Sequence, residues 1–183
     1  MLVVANSEQL PVEQARAGEP GAWDTLFHRY QLPLYTYVFE LVNDEQASLD
    51  IVQETFINAA RHLMQLRDND RFGSWLFGIA HQKCAQQWRR KPVAQVPVEA
   101  CEEDLPDLQA DPGDWLIRKE AEEDFMRCLN QLPIPQRTVL LLHFLEDFSL
   151  EEIAEITGAG LGTVKSRIHY AKKTLRQLLE KQR

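Results

Sequence analysis

Apolar side chains recur at helical spacing along most of this chain, and nowhere do they alternate as strands require. Val52, Phe56, Ala59, Leu63 and Leu66 mark one stripe, and Phe72, Trp75, Leu76, Ile79 and Ala80 mark the next. An earlier aromatic-rich segment carries Trp23, Phe27, Tyr30, Tyr35, Tyr37 and Phe39, punctuated by Pro20 and Pro33, and Pro33 is expected to end or kink its helix. Further on, Ile117, Ala121, Phe125, Leu129 and Leu132 form another stripe, broken at "LPIP" before Val139 to Leu145. Two short periodic pieces then flank Gly158. The pattern predicts an all-α protein made of two small helical domains.

The periodicity lapses between residues 92 and 114. That stretch holds Pro92, Pro97, Pro106 and Pro112 and too few apolar residues to pack, so it reads as an extended linker. The expected division is therefore a first domain at 1–91, a linker at 92–114 and a second domain at 115–183. Charge sharpens the division. The chain is 183 residues long with a formal net charge of −8. Glu99, Glu102, Glu103, Asp104, Asp107, Asp111 and Asp114 lie in the linker with no Lys or Arg among them. From Leu161 onward, Lys165, Arg167, Lys172, Lys173, Arg176, Lys181 and Arg183 face Glu180 alone. A polyanion would feel that local basic stripe rather than the overall charge.

The basic stripe lies in a recognisable frame. Ser149 precedes Glu152 by the capping-box spacing, which predicts a short helix running to about Thr157. Gly158 then supplies a residue free to adopt positive φ at a sharp turn. In the following helix Val164, Ile168, Ala171, Leu175 and Leu178 form the buried stripe, and Ala154 is small where two helices would cross. Ala, Gly four residues later and Val six after that are the helix-turn-helix arrangement, whose second helix enters the DNA major groove. Off the stripe that helix presents Lys165, Ser166, Arg167, His169, Lys172, Lys173 and Arg176, a face suited to phosphates and base edges. An ordinary helical hairpin with a solvated basic face is the plainer reading.

In the first domain, "DIVQETFINAARHL" puts Asp50, Gln53 and Glu54 on a face away from Val52, Phe56, Ala59 and Leu63. The next helix, "RFGSWLFGIAHQKCAQQWRRK", combines Phe72, Trp75 and Trp88 with Arg89, Arg90 and Lys91. Aromatics at helical spacing ordinarily build a core, but interleaved with cations they also suit unstacked bases.

Together, "DIVQETF", "FGSWLFGIA", "WRR", "LPIPQRTVLLLHFLEDFSLEEIAEITG" and "GTVKSRIHYAKKTLR" resemble the extracytoplasmic-function sigma factors of the sigma-70 class, from about Trp23 onward except the linker. The resemblance implies a domain two that binds the polymerase clamp and melts the −10 element, a domain four that contacts the flap and reads the −35 element, and no large domain between them. It implies that Asp50, Gln53, Glu54 and Ile57 bind core RNA polymerase. It assigns −10 DNA to Arg67, Asn69, Arg71 and Phe72 in a base-capturing loop and to Trp75, Gln82, Trp88, Arg89 and Arg90. It assigns −35 DNA to Thr163, Lys165, Ser166, Arg167, His169, Tyr170, Lys172 and Lys173. An anti-sigma factor that masks the polymerase-binding surfaces is the further partner it suggests. Three departures bear on the promoter read: His81 and Gln82 stand where the family commonly has Arg-Asn, Gln86 lies near a usual acidic position, and Tyr170 replaces a common Arg.

Two other readings start from the same residues. A conventional two-domain regulator would bind duplex DNA alone and has no use for "DIVQETF". His81 and Cys84 are one turn apart, with His28 and His62 elsewhere, but two ligands make no metal site and neither HExxH nor CxxC is present. No phosphate-binding loop, dinucleotide fingerprint or nucleophile elbow occurs, so no catalytic residue, metal or cofactor is expected. Cys84, Cys101 and Cys128 are expected to be reduced thiols. "MLVVA" meets Asn6, Ser7 and Glu8 at once, and no stretch is long enough to span a bilayer, so a cytoplasmic protein without membrane insertion is expected.

Overall fold

A computed structural model describes residues 10–90 and 119–181, and every regular element among them is helical. In chain order these are α1 (Val12–Ala17), α2 (Ala22–Val42), α3 (Glu45–His62), α4 (Phe72–Arg90), α5 (Lys119–Asn130), α6 (Ile134–Glu146), α7 (Leu150–Thr157) and α8 (Leu161–Lys181). Short 3-10 turns at Leu63–Gln65 and Asn69–Arg71 lead from α3 to α4. The expected linker at 92–114 lies outside the described residues, as does Cys101.

The first four helices form one bundle. Leu26, Leu34, Tyr37 and Val38 of α2, Ala59 of α3, and Phe72, Leu76, Phe77 and Ala80 of α4 are fully buried in it. Asp44 starts α3 by accepting the Ala47 amide at 3.0 Å. Pro33 does not end a helix: α2 runs through it for 21 residues, to Asn43 in the left-handed region at φ 51°. An internal proline costs about 3 kcal/mol in lost hydrogen bonding and ring clash. Burial of Tyr30, Leu34, Tyr37, Val38 and Leu41 on both sides of it outweighs that. Gly73 has a separate reason to be glycine, since a Cβ there would lie 2.9 Å from the Tyr30 hydroxyl.

The last four helices form the second bundle around Leu129, Val139, Leu140, Leu142, Ile153, Val164, Ile168 and Ala171. Arg137 fastens its first corner. Its guanidinium donates to the Asn130 and Leu132 carbonyls, to Asn130 Oδ1, and across to the Glu40 carbonyl of α2 at 2.7 Å. The bundles are packed together, α6 along α2 and α7 along α4, with one continuous apolar core through both. Phe77 and Phe148 meet edge to face across the junction, ring centroids 5.2 Å apart.

Candidate polymerase and nucleic-acid interfaces

Asp50, Gln53, Glu54 and Ile57 are all exposed on α3, while Ile51, Val52, Thr55 and Phe56 are buried beneath them. The helical period splits the exposed residues into two edges. Asp50 and Glu54 lie on one, where Glu54 accepts from Lys83 of α4 at 2.7 Å and Asp50 from Gln46 at 3.0 Å. Gln53 and Ile57 lie on the other, beside an apolar groove between α2 and α3 lined also by Phe27, Leu32, Tyr35 and Leu49. Leu32 is 69% exposed and Leu49 48%. Charge reading found the acidic edge and missed this groove. Its signal was present, in large apolar residues standing off the buried stripes of two neighbouring helices.

The residues expected to meet −10 DNA differ in what they can offer a partner, and Arg71, about half exposed, is ion-paired with Glu155 of α7 at 2.7 Å. Arg67, Gln82 and Arg89 are exposed and open to a partner. Asn69 is engaged within the bundle, accepting from Arg16 at 3.1 Å and donating to Glu13 at 3.2 Å, while Arg16 also reaches the Leu66 carbonyl at 2.9 Å. Phe72 is a correction: it is fully buried, ringed by Trp23, Tyr30 and Trp75, and has no face to offer a base. Trp88 is largely a packing residue, half-buried with its indole N–H on the Leu41 carbonyl at 3.1 Å. Trp75 is half-buried at the rim of a cleft with Ile79 and Gln82. Arg90 lies in α4, and its side chain is outside the described residues.

The turn between α7 and α8 follows from its sequence. Ser149 and Glu152 satisfy each other's backbone amides in a reciprocal cap, at 3.2 and 3.0 Å. Gly158 closes α7 at φ 66°, where a side chain would be strained. Ile153 and Ile156 then pack on Val164 and Ile168, aiming the first turns of α8 outward. Thr163, Lys165, Lys172 and Lys173 are exposed; Ser166, His169 and Tyr170 are half-exposed, with the His169 and Tyr170 rings edge to face at 5.5 Å. The Ser166 hydroxyl donates back to the Thr163 carbonyl at 3.0 Å, and Lys172 lies 5.8 Å over the exposed Phe144 ring.

Arg167 differs from its neighbours. It is half-buried, and burial lowers its pKa and leaves its Nε without a hydrogen-bond partner among the described residues. The pKa of His81 is lowered to about 4, first by burial and then by the Arg167 charge. The His81 Nδ1 lies 2.8 Å from the Tyr37 hydroxyl, and burial holds that phenol protonated. Cys84, one turn on, is a buried free thiol pushed up to about 12 by desolvation. Among the described residues, no three His, Cys, Asp or Glu side chains converge as a metal site would need.

Comparisons with known proteins agree with this organisation. Residues 26–92 match the model for sigma-70 region 2, and residues 122–175 the model for sigma-70 region 4. The chain is 32% identical to the RNA polymerase sigma-H factor of Pseudomonas aeruginosa, over 98% of this chain and 97% of that protein. It is 30% identical to the extracytoplasmic-function sigma-E factor of Haemophilus influenzae, over 95% and 96%. Among solved structures, CnrH in complex with the cytosolic domain of CnrY shares the fold at a TM-score of 0.66 and 24% identity, over 96% of this chain and 98% of that one. The Bartonella quintana sigma factor RpoE, in complex with the anti-sigma factor NepR, does so at 0.65 and 24%, over 89% and 99%. With both regions matched in order and relatives at 30–32% identity aligned over nearly their whole length, the chain belongs to the sigma-70 family of RNA polymerase sigma factors, in its extracytoplasmic-function group.

Proposed function

We propose that this chain confers promoter specificity on core RNA polymerase through three separate surfaces. The observation that carries the reading is their division between two bundles: an acidic and apolar face on α3, and a helix-turn-helix with a basic second helix. Core polymerase docks on Asp50, Gln53, Glu54 and Ile57, with the apolar groove against α2 supplying contact area and the carboxylates steering a basic clamp surface. The second bundle meets the polymerase flap.

Arg67, Arg71, Trp75, Gln82, Arg89 and Arg90 form the −10 surface. There the cations hold phosphates and Trp75 offers a ring to an unstacked base. Thr163, Lys165, Ser166, His169 and Tyr170 read the −35 element, while Lys172 and Lys173 flank phosphates. The domains run from 1 to 91 and from 115 to 183, joined by the acidic segment 92–114. The chain itself is not a catalyst: bond formation belongs to the polymerase. It acts in the cytoplasm, consistent with no described helix being long and apolar enough to cross a membrane. An anti-sigma factor is its further partner, as the Bartonella quintana RpoE is bound to the anti-sigma factor NepR.

Reversing Asp50 and Glu54 to Lys tests the docking surface. Both side chains are exposed, so the variant should fold, and its co-elution with core polymerase should fall at least several-fold. Unchanged assembly by the folded variant would remove that surface from the account. Tight, sequence-specific binding of duplex DNA by the free wild-type chain would favour a conventional regulator instead.

A further inference from the structure

The loop 66–71, which carries Arg67 and Arg71 of the −10 surface, is fastened from behind by the first helix. Arg16 Nη2 donates both to the Leu66 carbonyl at 2.9 Å and to Asn69 Oδ1 at 3.1 Å. Asn69 Nδ2 in turn donates to Glu13, one turn back on α1, at 3.2 Å. α1 is a firm base for these bonds, because Val12 and Ala15 are buried in the core. Ser74 holds the far end of the loop, its hydroxyl donating to the Arg71 carbonyl at 3.2 Å.

The fastened loop has two unlike faces. Leu66, at φ −70° and ψ 117°, and Asp68, at φ −121° and ψ 113°, carry an extended bridge between the two 3-10 turns. Arg67, Asp68, Asp70 and Arg71 are exposed along it. Leu66 and Arg71 also line the cleft that Trp75 and Gln82 border. Behind the loop stands Arg16, half-buried, with its Nε buried and without a hydrogen-bond partner among the described residues. A buried donor left unpaired costs free energy, so an arginine is a poor fastener for stability alone. What its rigid fork supplies is geometry: it ties two points of the loop, three residues apart, to one helix.

We propose that Arg16 is a positioning residue for −10 recognition. Through the Leu66 carbonyl and Asn69 it sets the backbone from which Arg67 and Arg71 reach DNA, and Asn69 is part of that bracket rather than a base contact. This rests on the assignment of the −10 surface given above. A loop ordered before DNA arrives loses less freedom on binding, and the advantage is greatest for the sequence that fits the held geometry. Releasing the loop therefore lowers discrimination at −10 while leaving polymerase docking through α3 and −35 reading through α8 in place.

Two measurements on the full chain test the bracket. One is amide hydrogen exchange in the free protein, where the Leu66 and Arg71 amides are hydrogen-bonded within the loop. The other is transcript yield from a promoter library randomised at −10, with core RNA polymerase. Arg16→Gln and Asn69→Ala should each speed exchange in the loop at least several-fold. Each should also narrow the preference between best and worst base at one or more −10 positions several-fold, with −35 preference and co-elution with core polymerase unchanged. Because both changes remove one bracket, the double variant should be no worse than Arg16→Gln alone. Asn69→Ala alters no charge and removes a half-exposed side chain, so it carries the test even if Arg16→Gln fails to fold. Faster exchange with unaltered −10 preference would make Arg16 a structural brace only, and overturn the proposal. Altered preference in Asn69→Ala without faster exchange would make Asn69 a direct base contact, and overturn it equally. A wild-type holoenzyme indifferent to −10 sequence would instead remove the surface assignment on which the proposal rests, whatever the exchange shows.

Discussion

At the scale of single residues, sequence reading succeeded where periodicity alone decides and failed where a neighbour decides. Val52, Phe56, Ala59 and Leu63 are buried as their spacing requires. Phe72 belongs to the same kind of stripe, and only the family resemblance assigned it to a base; the rings of Trp23, Tyr30 and Trp75 around it show a core residue. Gly73 could not be understood from sequence, because its reason is the Tyr30 hydroxyl on another helix. Gly73→Ala should therefore lower unfolding stability by about 1–3 kcal/mol in a denaturant titration, since the buried ring has nowhere to yield. His81, packed against Tyr37 of α2 and Trp88 of its own helix, gives a pH dependence whose sign follows from its environment: burial first, and then the Arg167 charge, disfavours the imidazolium. Its pKa falls from 6.5 to about 4 on folding, so between those values the unfolded chain binds the proton that the folded chain refuses. Stability contributed by neutral His81 is full above about pH 6.5 and is lost progressively toward pH 4. Glu146 and Glu40, whose pKa values burial raises, oppose part of that loss. His81→Gln should flatten the decline in thermal midpoint across this window, and an unaltered slope would contradict the assignment.

Among the elements, α7 and α8 were the most legible. The cap at Ser149, the left-handed Gly158 and the stripe through Val164 are local signals that agree with one another. The internal proline of α2 was not legible, because tertiary burial on both sides overrides a local penalty. The groove between α2 and α3 was missed because each helix contributes only half of it. The exposed face of α8 supports a prediction about reading rather than folding. Tyr170 stands half-exposed beside His169, and a phenol cannot make the bidentate guanine contact open to Arg. Tyr170→Arg should change the base preferred at one −35 position by about 1–3 kcal/mol in a promoter-library selection. Lys172→Ala, at an exposed site one turn from the apolar stripe, should weaken all promoters alike and flatten the salt dependence. A shifted preference with Lys172→Ala and none with Tyr170→Arg would mean that the helix is rotated from the orientation assigned to it.

For the whole molecule, two helical bundles were readable from periodicity and composition, but their mutual packing was not. Nothing in the spacing of Arg71 and Glu155, or of Arg29 and Glu146, announces that they meet. Long-range ion pairs between separately patterned units have no local signature, so the packing of the two bundles emerges only in three dimensions. Whatever the packing, this chain brings promoter choice to a polymerase that lacks it. Run-off transcription tests that most directly, with bacterial core RNA polymerase, the purified chain and a library of randomised promoter sequences, the transcripts sequenced at their 5′ ends. Core polymerase with the chain should yield transcripts starting a fixed distance downstream of one enriched pair of elements, which vanish when the chain is omitted. Transcripts that are absent, or that start without regard to any enriched upstream sequence, would contradict the account.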